Sequence, residues 1–209
     1  MNPTRFAVLA LLPLCLRLPA FAGPGLLDQA VALEKKGKFS EAIKIHEKIS
    51  KKAPGLRVPS YVTIGGLYGK MGRFDKEIEW CQKAIALDPK FANAYTNLGS
   101  AYIAKQDVTG AEQAYLKATE LDPRNPVTIY SLGLVAEAKG ELPKAEGLYR
   151  KAVESKPDFI DAWVNLGVTL ANQKRFKEAK EALKKAESLD PTATDIRSLL
   201  QKVEKDLGK

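Results

Sequence analysis

Few side chains in this 209-residue sequence could carry covalent or acid–base chemistry, and they are scattered. His46 is the one histidine, and beyond residue 22 Cys81 is the one cysteine. A zinc site or a thiol nucleophile needs such groups clustered, and a single His and a single Cys on separate segments form neither a ligand set nor a dyad. His46 falls in an aromatic slot of a helical pattern and Cys81 on a helical stripe, so both read as packing, with intermolecular pairing of Cys81 as the lesser alternative. Asp75 and Glu77 read as helix surface. No Gly-x-Gly-x-x-Gly loop follows a strand, Gly65-Gly66 lies inside a helical stripe, and Walker and Gly-x-Ser-x-Gly patterns are missing. The sequence is therefore read as non-catalytic, with no metal and no cofactor. The chemistry open to it is non-covalent recognition.

The elements that would position such recognition repeat. Ala94-Tyr95-Thr96-Asn97-Leu98-Gly99-Ser100-Ala101-Tyr102 has relatives at Ser60 to Tyr68, Thr128 to Gly133 and Ala162 to Gly167. Pro89, Pro123, Pro157 and Pro191 follow at a constant 34 residues. A fixed period of that size marks stacked repeats. Tyr95, Leu98 and Tyr102 fall at i, i+3 and i+7, one stripe of a helix. Gly99 and Gly167 sit beside that stripe at a cost of about 1 kcal/mol relative to alanine, which predicts a second helix backbone approaching there. Ala111, Ala145 and Ala179 are its expected small partners. The prolines close each second helix.

These residues resemble the tetratricopeptide repeat, a pair of antiparallel helices. Its first-helix core appears as Tyr95, Leu98, Gly99 and Tyr102, and as Trp163, Leu166, Gly167 and Leu170. Its second-helix pattern appears as Ala111, Tyr115 and Ala118, as Ala145, Tyr149 and Ala152, and less fully as Ala179, Leu183 and Ala186. The resemblance implies an all-α, right-handed superhelical solenoid of about five hairpins plus a C-terminal capping helix. A divergent first repeat is expected over 23–57, with Gly37 at its inter-helix turn. Further repeats are expected over 58–91, 92–125, 126–159 and 160–193, and the cap over 194–209.

Three departures carry expectations of their own. Pro54 to Pro89 is one residue longer than the period, and the extra residue is expected in a loop around Gly55 to Pro59. Glu77 occupies an alanine place, which predicts looser packing of the second repeat. Arg197 and Gln201 replace the large and small stacking residues, as a solvated cap requires.

Residues 1–22 read as a secretory signal peptide. Arg5 precedes the apolar run Phe6 to Leu16, and Ala20-Phe21-Ala22 ends in a cleavage pattern, with the cut after Ala22. An uncleaved anchor is the lesser alternative, because the run is short for a membrane span and Pro13 interrupts it. Lipidation at Cys15 is disfavoured by the bulky Leu14. A periplasmic or otherwise secreted protein is expected, with no membrane span once the signal is removed. The chain carries a net charge of +8, and removal of Arg5 and Arg17 with the signal leaves it less basic. Charges interleave, as over Glu178 to Glu187, so a nucleic-acid partner is not expected. With Cys81 alone remaining, no internal disulfide is expected.

The resemblance implies that the first helices line a concave surface receiving a peptide or a partner protein's helix. Its ligand-facing places map onto Thr63 and Gly66; onto Asn93, Thr96, Asn97 and Ser100; onto Tyr130, Ser131 and Leu134; and onto Asp161, Asn165, Val168 and Asn172. Asn97 and Asn165 are the expected main-chain readers, since an amide presents a donor and an acceptor together. Tyr130, Leu134 and Val168 would add apolar pockets. Lys70 is the nearest basic residue, so a multi-cation grip on a terminal carboxylate is disfavoured. A protein-binding scaffold is the expected function. A self-associating structural module, through Cys81 or the last helix, and an accessory subunit of a larger assembly remain the alternatives.

Overall fold

A computed structural model describes residues 24–208, with side-chain burial from Gly25 onward; the leader expected at 1–22 lies outside the described residues. Among those described the fold is all-α, a superhelical array of hairpins. Helices α1 (Pro24–Lys35) and α2 (Phe39–Lys52) form the first pair, followed by a 3-10 turn (Pro54–Leu56). Helices α3 (Arg57–Lys70) and α4 (Phe74–Leu87) form the second, α5 (Ala92–Ala104) and α6 (Val108–Leu121) the third. Then come α7 (Pro126–Ala138) with α8 (Leu142–Ser155), α9 (Ile160–Asn172) with α10 (Phe176–Leu189), and the single α11 (Thr194–Leu207). Each hairpin buries one stripe per helix and leaves a face for the next, so stability comes from stacking.

Local sequence explains the helix ends. Between the helices of a pair the chain passes through the left-handed region at Gly37, Gly72 and Gly140, at φ +70°, +70° and +76°. The same turn in the third and fifth pairs is taken by Gln106 and Lys174, both at φ 62°. A side chain there costs about 1 kcal/mol or more. Lys174→Gly is therefore expected to raise stability by about 1 kcal/mol, read as a higher urea midpoint. At α7, Asn125 accepts from the amides of Val127 (3.0 Å) and Thr128 (3.3 Å), and Pro126 follows at the first helical position, where no amide is needed.

The large residue near the start of each first helix has a second task besides packing. The Tyr95 hydroxyl donates to the Pro89 carbonyl (3.2 Å) and the Trp163 indole N–H to the Pro157 carbonyl (2.9 Å). Arg197, which replaces the large stacking residue in the cap, donates to the Pro191 carbonyl at 2.8 Å. A planar donor of similar reach replaces the aromatic one, so α11 is tied to its turn as the earlier helices are. Its buried residues are Ile196, Leu200 and Val203, while Gln201 is exposed.

The glycines answer a different neighbour from the one expected. A Cβ on Gly99 would lie 2.6 Å from the Tyr115 ring, and one on Gly133 would lie 2.5 Å from the Tyr149 ring. At Gly167 it would meet Leu183 at 2.7 Å and the second-helix carbonyl oxygen of Ala179 at 3.2 Å, and at Gly65 the Cys81 sulfur at 3.2 Å and the Glu77 carbonyl oxygen at 3.4 Å. These glycines mainly seat a bulky side chain from the second helix. Ala111, Ala145 and Ala179 are fully buried beside them.

The second hairpin corrects three further expectations. The extra residue lies in no loop: the 3-10 turn runs straight into α3, which has 14 residues where α5, α7 and α9 have 13. Pro59 is harmless in its first turn, where amides lack helical partners. Glu77 is not surface, being 6% exposed, whereas Asp75 is exposed and pairs with Lys105. Its carboxylate reaches the space that Gly69 leaves open, and the small Cys81 stands where the third hairpin has Tyr115. Volume lost at one site is thus restored at the other, in place of the looser packing expected.

Candidate functional site

The first helices α1, α3, α5 and α7 contribute to one concave cavity of about 420 Å³, lined by Glu34, Val62, Thr63, Gly66, Leu67, Lys70, Asn93, Thr96, Asn97, Asn125 and Val127. Five of the sequence-predicted residues meet here: Thr63, Gly66, Asn93, Thr96 and Asn97. Two others, Val168 and Asn172, line a separate cavity of about 350 Å³ between α9, α10 and α11, with Phe176, Leu199 and Lys202. Ser100, Tyr130, Ser131, Leu134, Asp161 and Asn165 line neither.

Many of these polar groups are committed within the chain. The Thr96 and Thr128 hydroxyls share a buried 2.8 Å hydrogen bond between α5 and α7, with Thr96 only 7% exposed. Ser131 is 8% exposed and donates to the Val127 carbonyl at 2.9 Å. Thr96 thus ties α5 to α7 while it lines the cavity, and Ser131 is bonded within its own helix. Thr63 donates to the Pro59 carbonyl (3.0 Å), and the Ser100 hydroxyl donates to the Thr96 carbonyl (3.2 Å) and bonds the Tyr115 hydroxyl (3.1 Å).

The two asparagines present half of what their amides offer. Asn97 Nδ2 donates to the Val62 carbonyl of α3 at 3.3 Å, and Asn165 Nδ2 donates to the Tyr130 hydroxyl at 3.0 Å. Each amide nitrogen reaches back to the preceding repeat with one N–H, and the carbonyl Oδ1 makes no hydrogen bond among the described residues. Gly66 stands beside it: a Cβ there would lie 3.4 Å from Asn97 Nδ2, at the edge of ordinary contact. The Tyr130 ring packs against Phe159 (4.9 Å between centroids) and Tyr149 (5.7 Å). Burial, then the Asp161 and Glu137 carboxylates, hold the Tyr130 hydroxyl above its usual pKa. Leu134 is 37% exposed, and Asp161 is exposed.

Sequence reasoning missed Glu34, Val62, Leu67, Asn125 and Val127 as groove residues. Asn125 caps α7 and also donates to Asn93 Oδ1 at 3.4 Å, so a helix cap and a groove wall are one residue. Glu34 is held by the His46 ring at 2.9 Å, which gives the single histidine a partner. The Lys70 ammonium lies over the Phe39 ring, 5.8 Å from its centroid, and brings one cation to the cavity. The signal for Glu34 and Asn125 was their place in the period, at the end of one first helix and the start of another.

Cys81 is fully buried, and burial, then the nearby Glu77, pushes its thiol pKa up to about 12. Both disfavour the lesser alternative of intermolecular pairing, because a buried, protonated thiol is a poor nucleophile.

The stacked helix hairpins and their concave first-helix face define a repeat-solenoid interaction protein. Models of the tetratricopeptide repeat match residues 136–203 and 92–125, and a TPR repeat model matches 65–106. The crystal structure of MamA is similar at 31% identity and TM-score 0.64, covering 78% of this chain and 94% of that one. The chain belongs to the tetratricopeptide repeat family. The crystal structure of YrrB, described as a TPR protein with an unusual peptide-binding site, shares the fold at 20% identity and TM-score 0.60, over 87% of this chain and 91% of that one. Among curated proteins, the probable UDP-N-acetylglucosamine–peptide N-acetylglucosaminyltransferase SEC of Arabidopsis thaliana is 30% identical over 92 residues, 44% of this chain. The matched part spans 9% of that protein's length.

Proposed function

We propose that this protein is a non-catalytic scaffold that receives an extended peptide or partner segment along its concave face, after export to the periplasm or cell exterior. The observation that carries the reading is the α1–α3–α5–α7 cavity. Asn97 Oδ1, Asn125 and the Lys70 ammonium meet there, and the chain's own contacts hold each in place before a ligand arrives. Groups ordered in advance lose little entropy on binding. An acceptor and a cation suit main-chain N–H groups and a carboxylate side chain of the guest, and Val62, Leu67 and Val127 supply apolar wall. The peptide-binding site named for YrrB, on the same architecture, supports a groove of this kind. The non-catalytic reading is supported by the burial of His46 and Cys81 on separate hairpins. The transferase activity named for the plant relative is not carried over, since 9% of that protein is matched.

Two measurements test this. Proteins retained by the immobilised chain are quantified for the parent and for Lys70→Glu combined with Asn97→Ala, with thermal melts confirming that both are folded. Retention is expected to fall at least tenfold, about 1.4 kcal/mol, and equal retention would overturn the groove. For the address, the N-terminus of the protein recovered from native cell fractions is sequenced. Gly23 as first residue outside the cytosol is expected, and an intact chain in the cytosol would refute export.

A further inference from the structure

Positive charge is concentrated at one end of the solenoid. Residues 24–57 carry eight basic and four acidic side chains, whereas acids and bases nearly balance along the rest. Within that repeat Lys44, Lys48, Lys51 and Lys52 recur at i, i+4, i+7 and i+8 of α2, opposite its buried residues Ala42, His46 and Ile49. All four are exposed, and among the described residues none is in an ion pair. On two other second helices the lysines are paired: Lys76 and Lys83 flank Glu79 on α4, and Lys117 meets Glu120 on α6. The acids nearest the stripe are Glu41, already engaged by Lys38 at 3.0 Å, and Glu47, which lines a cavity with Lys51. On the other helix of the hairpin, Leu27 and Val31 stand one turn apart and 42% exposed each.

We propose that the first repeat docks reversibly on an anionic lipid surface, with the α2 lysines over the headgroup phosphates and Leu27 and Val31 contributing apolar contact. Charge complementarity favours this occupant. The lysines form a convex row of mobile point charges rather than a pocket or an arginine fork, which suits diffuse charge better than one fixed phosphate or carboxylate. Each lysine near an anionic leaflet strengthens binding roughly fivefold, and the attraction fades over about 10 Å in 0.1 M salt.

The test uses residues 23–209, which contain every described element of the solenoid, so that the leader cannot itself bind lipid. Co-sedimentation is measured with phosphatidylcholine vesicles with and without phosphatidylglycerol. Binding to the anionic vesicles alone, lost in high salt, is expected. Reversing Lys44, Lys48, Lys51 and Lys52 to Glu should lower it by about a hundredfold or more, and the four Gln variants should lower it less. Reversing Lys177, Lys184 and Lys185 on α10, also exposed, should change it little. Helical circular dichroism confirms folding of each variant. The proposal is overturned if anionic vesicles are not bound, or if the α10 reversal weakens binding as much, since net charge would then suffice. It is equally overturned if acidic polypeptide or nucleic acid is bound through α2 while vesicles are ignored.

Discussion

Gly133→Ala is expected to destabilise the protein by about 1 to 3 kcal/mol, whereas Gly147→Ala is expected to stabilise it by about 0.5 to 1 kcal/mol. Both glycines lie inside helices, α7 and α8, and at both alanine has the better helix propensity by about 1 kcal/mol. They differ in what a methyl group meets. At Gly133 it would lie 2.5 and 2.7 Å from two atoms of the Tyr149 ring, and at Gly147 nothing stands within 4 Å. The ring has no room to retreat: Tyr149 is fully buried, its hydroxyl donates to Glu137 at 2.7 Å, and Tyr130 packs against it. Overpacking therefore exceeds the propensity gain at one site and is absent at the other. Urea midpoints of the two variants decide it, and a Gly133→Ala protein as stable as its parent would show that the seat is loose.

Glu77 is expected to make the protein more stable in mild acid than at pH 8, by up to about 3 kcal/mol. Burial raises its pKa from 4.5 to about 7, and no cationic side chain offsets it. The sign follows from that direction. Below the unfolded value of 4.5 the carboxyl is neutral in both states, and the full contribution is present. Between 4.5 and about 7 the unfolded chain ionises first, so stability falls until the folded group also loses its proton. The groups it faces titrate elsewhere: the Cys81 thiol is pushed up to about 12, and the Tyr115 hydroxyl is also raised. The surface acids work in the other direction and in a lower window. Glu79, held to about 2 by its bonds to Lys76 and Lys83, favours folding above 4.5 and loses that support in stronger acid. Glu77→Gln keeps the shape and removes the ionisation. It is expected to flatten the urea midpoint between pH 5 and 8 and to raise it at pH 8. Identical profiles for parent and variant would place the Glu77 carboxylate in water.

The groove and the pH response meet in one helix. Glu77 packs beneath Gly69 of α3, and α3 supplies Val62, Thr63, Gly66, Leu67 and Lys70 to the cavity. A carboxylate forming under α3 loosens the element that carries five groove residues. Ligand retention should therefore weaken above pH 7 in the parent and hold in Glu77→Gln.

The hairpins were legible because their causes are local. A constant 34-residue interval, apolar stripes at i, i+3 and i+7, and proline after Leu-Asp determine helix, turn and stack within a few neighbouring residues. The role of each polar side chain was not, because partners lie one repeat away. Thr96 and Thr128, like Asn165 and Tyr130, meet only when first helices stack. The resemblance marked Asn97 as ligand-facing, but packing against α3 decided that its amide nitrogen bonds the Val62 carbonyl. Glu77 is the sharpest case. By type it belongs to a solvated helix face although it occupies an alanine place, and the space its carboxylate fills is left by Gly69 on the other helix of the hairpin. Periodicity alone determined that this chain is a stack of helix pairs, since each pair is specified by short-range spacing. Which side chains stay open to a guest was decided by tertiary structure, since close packing couples residues that spacing treats as independent.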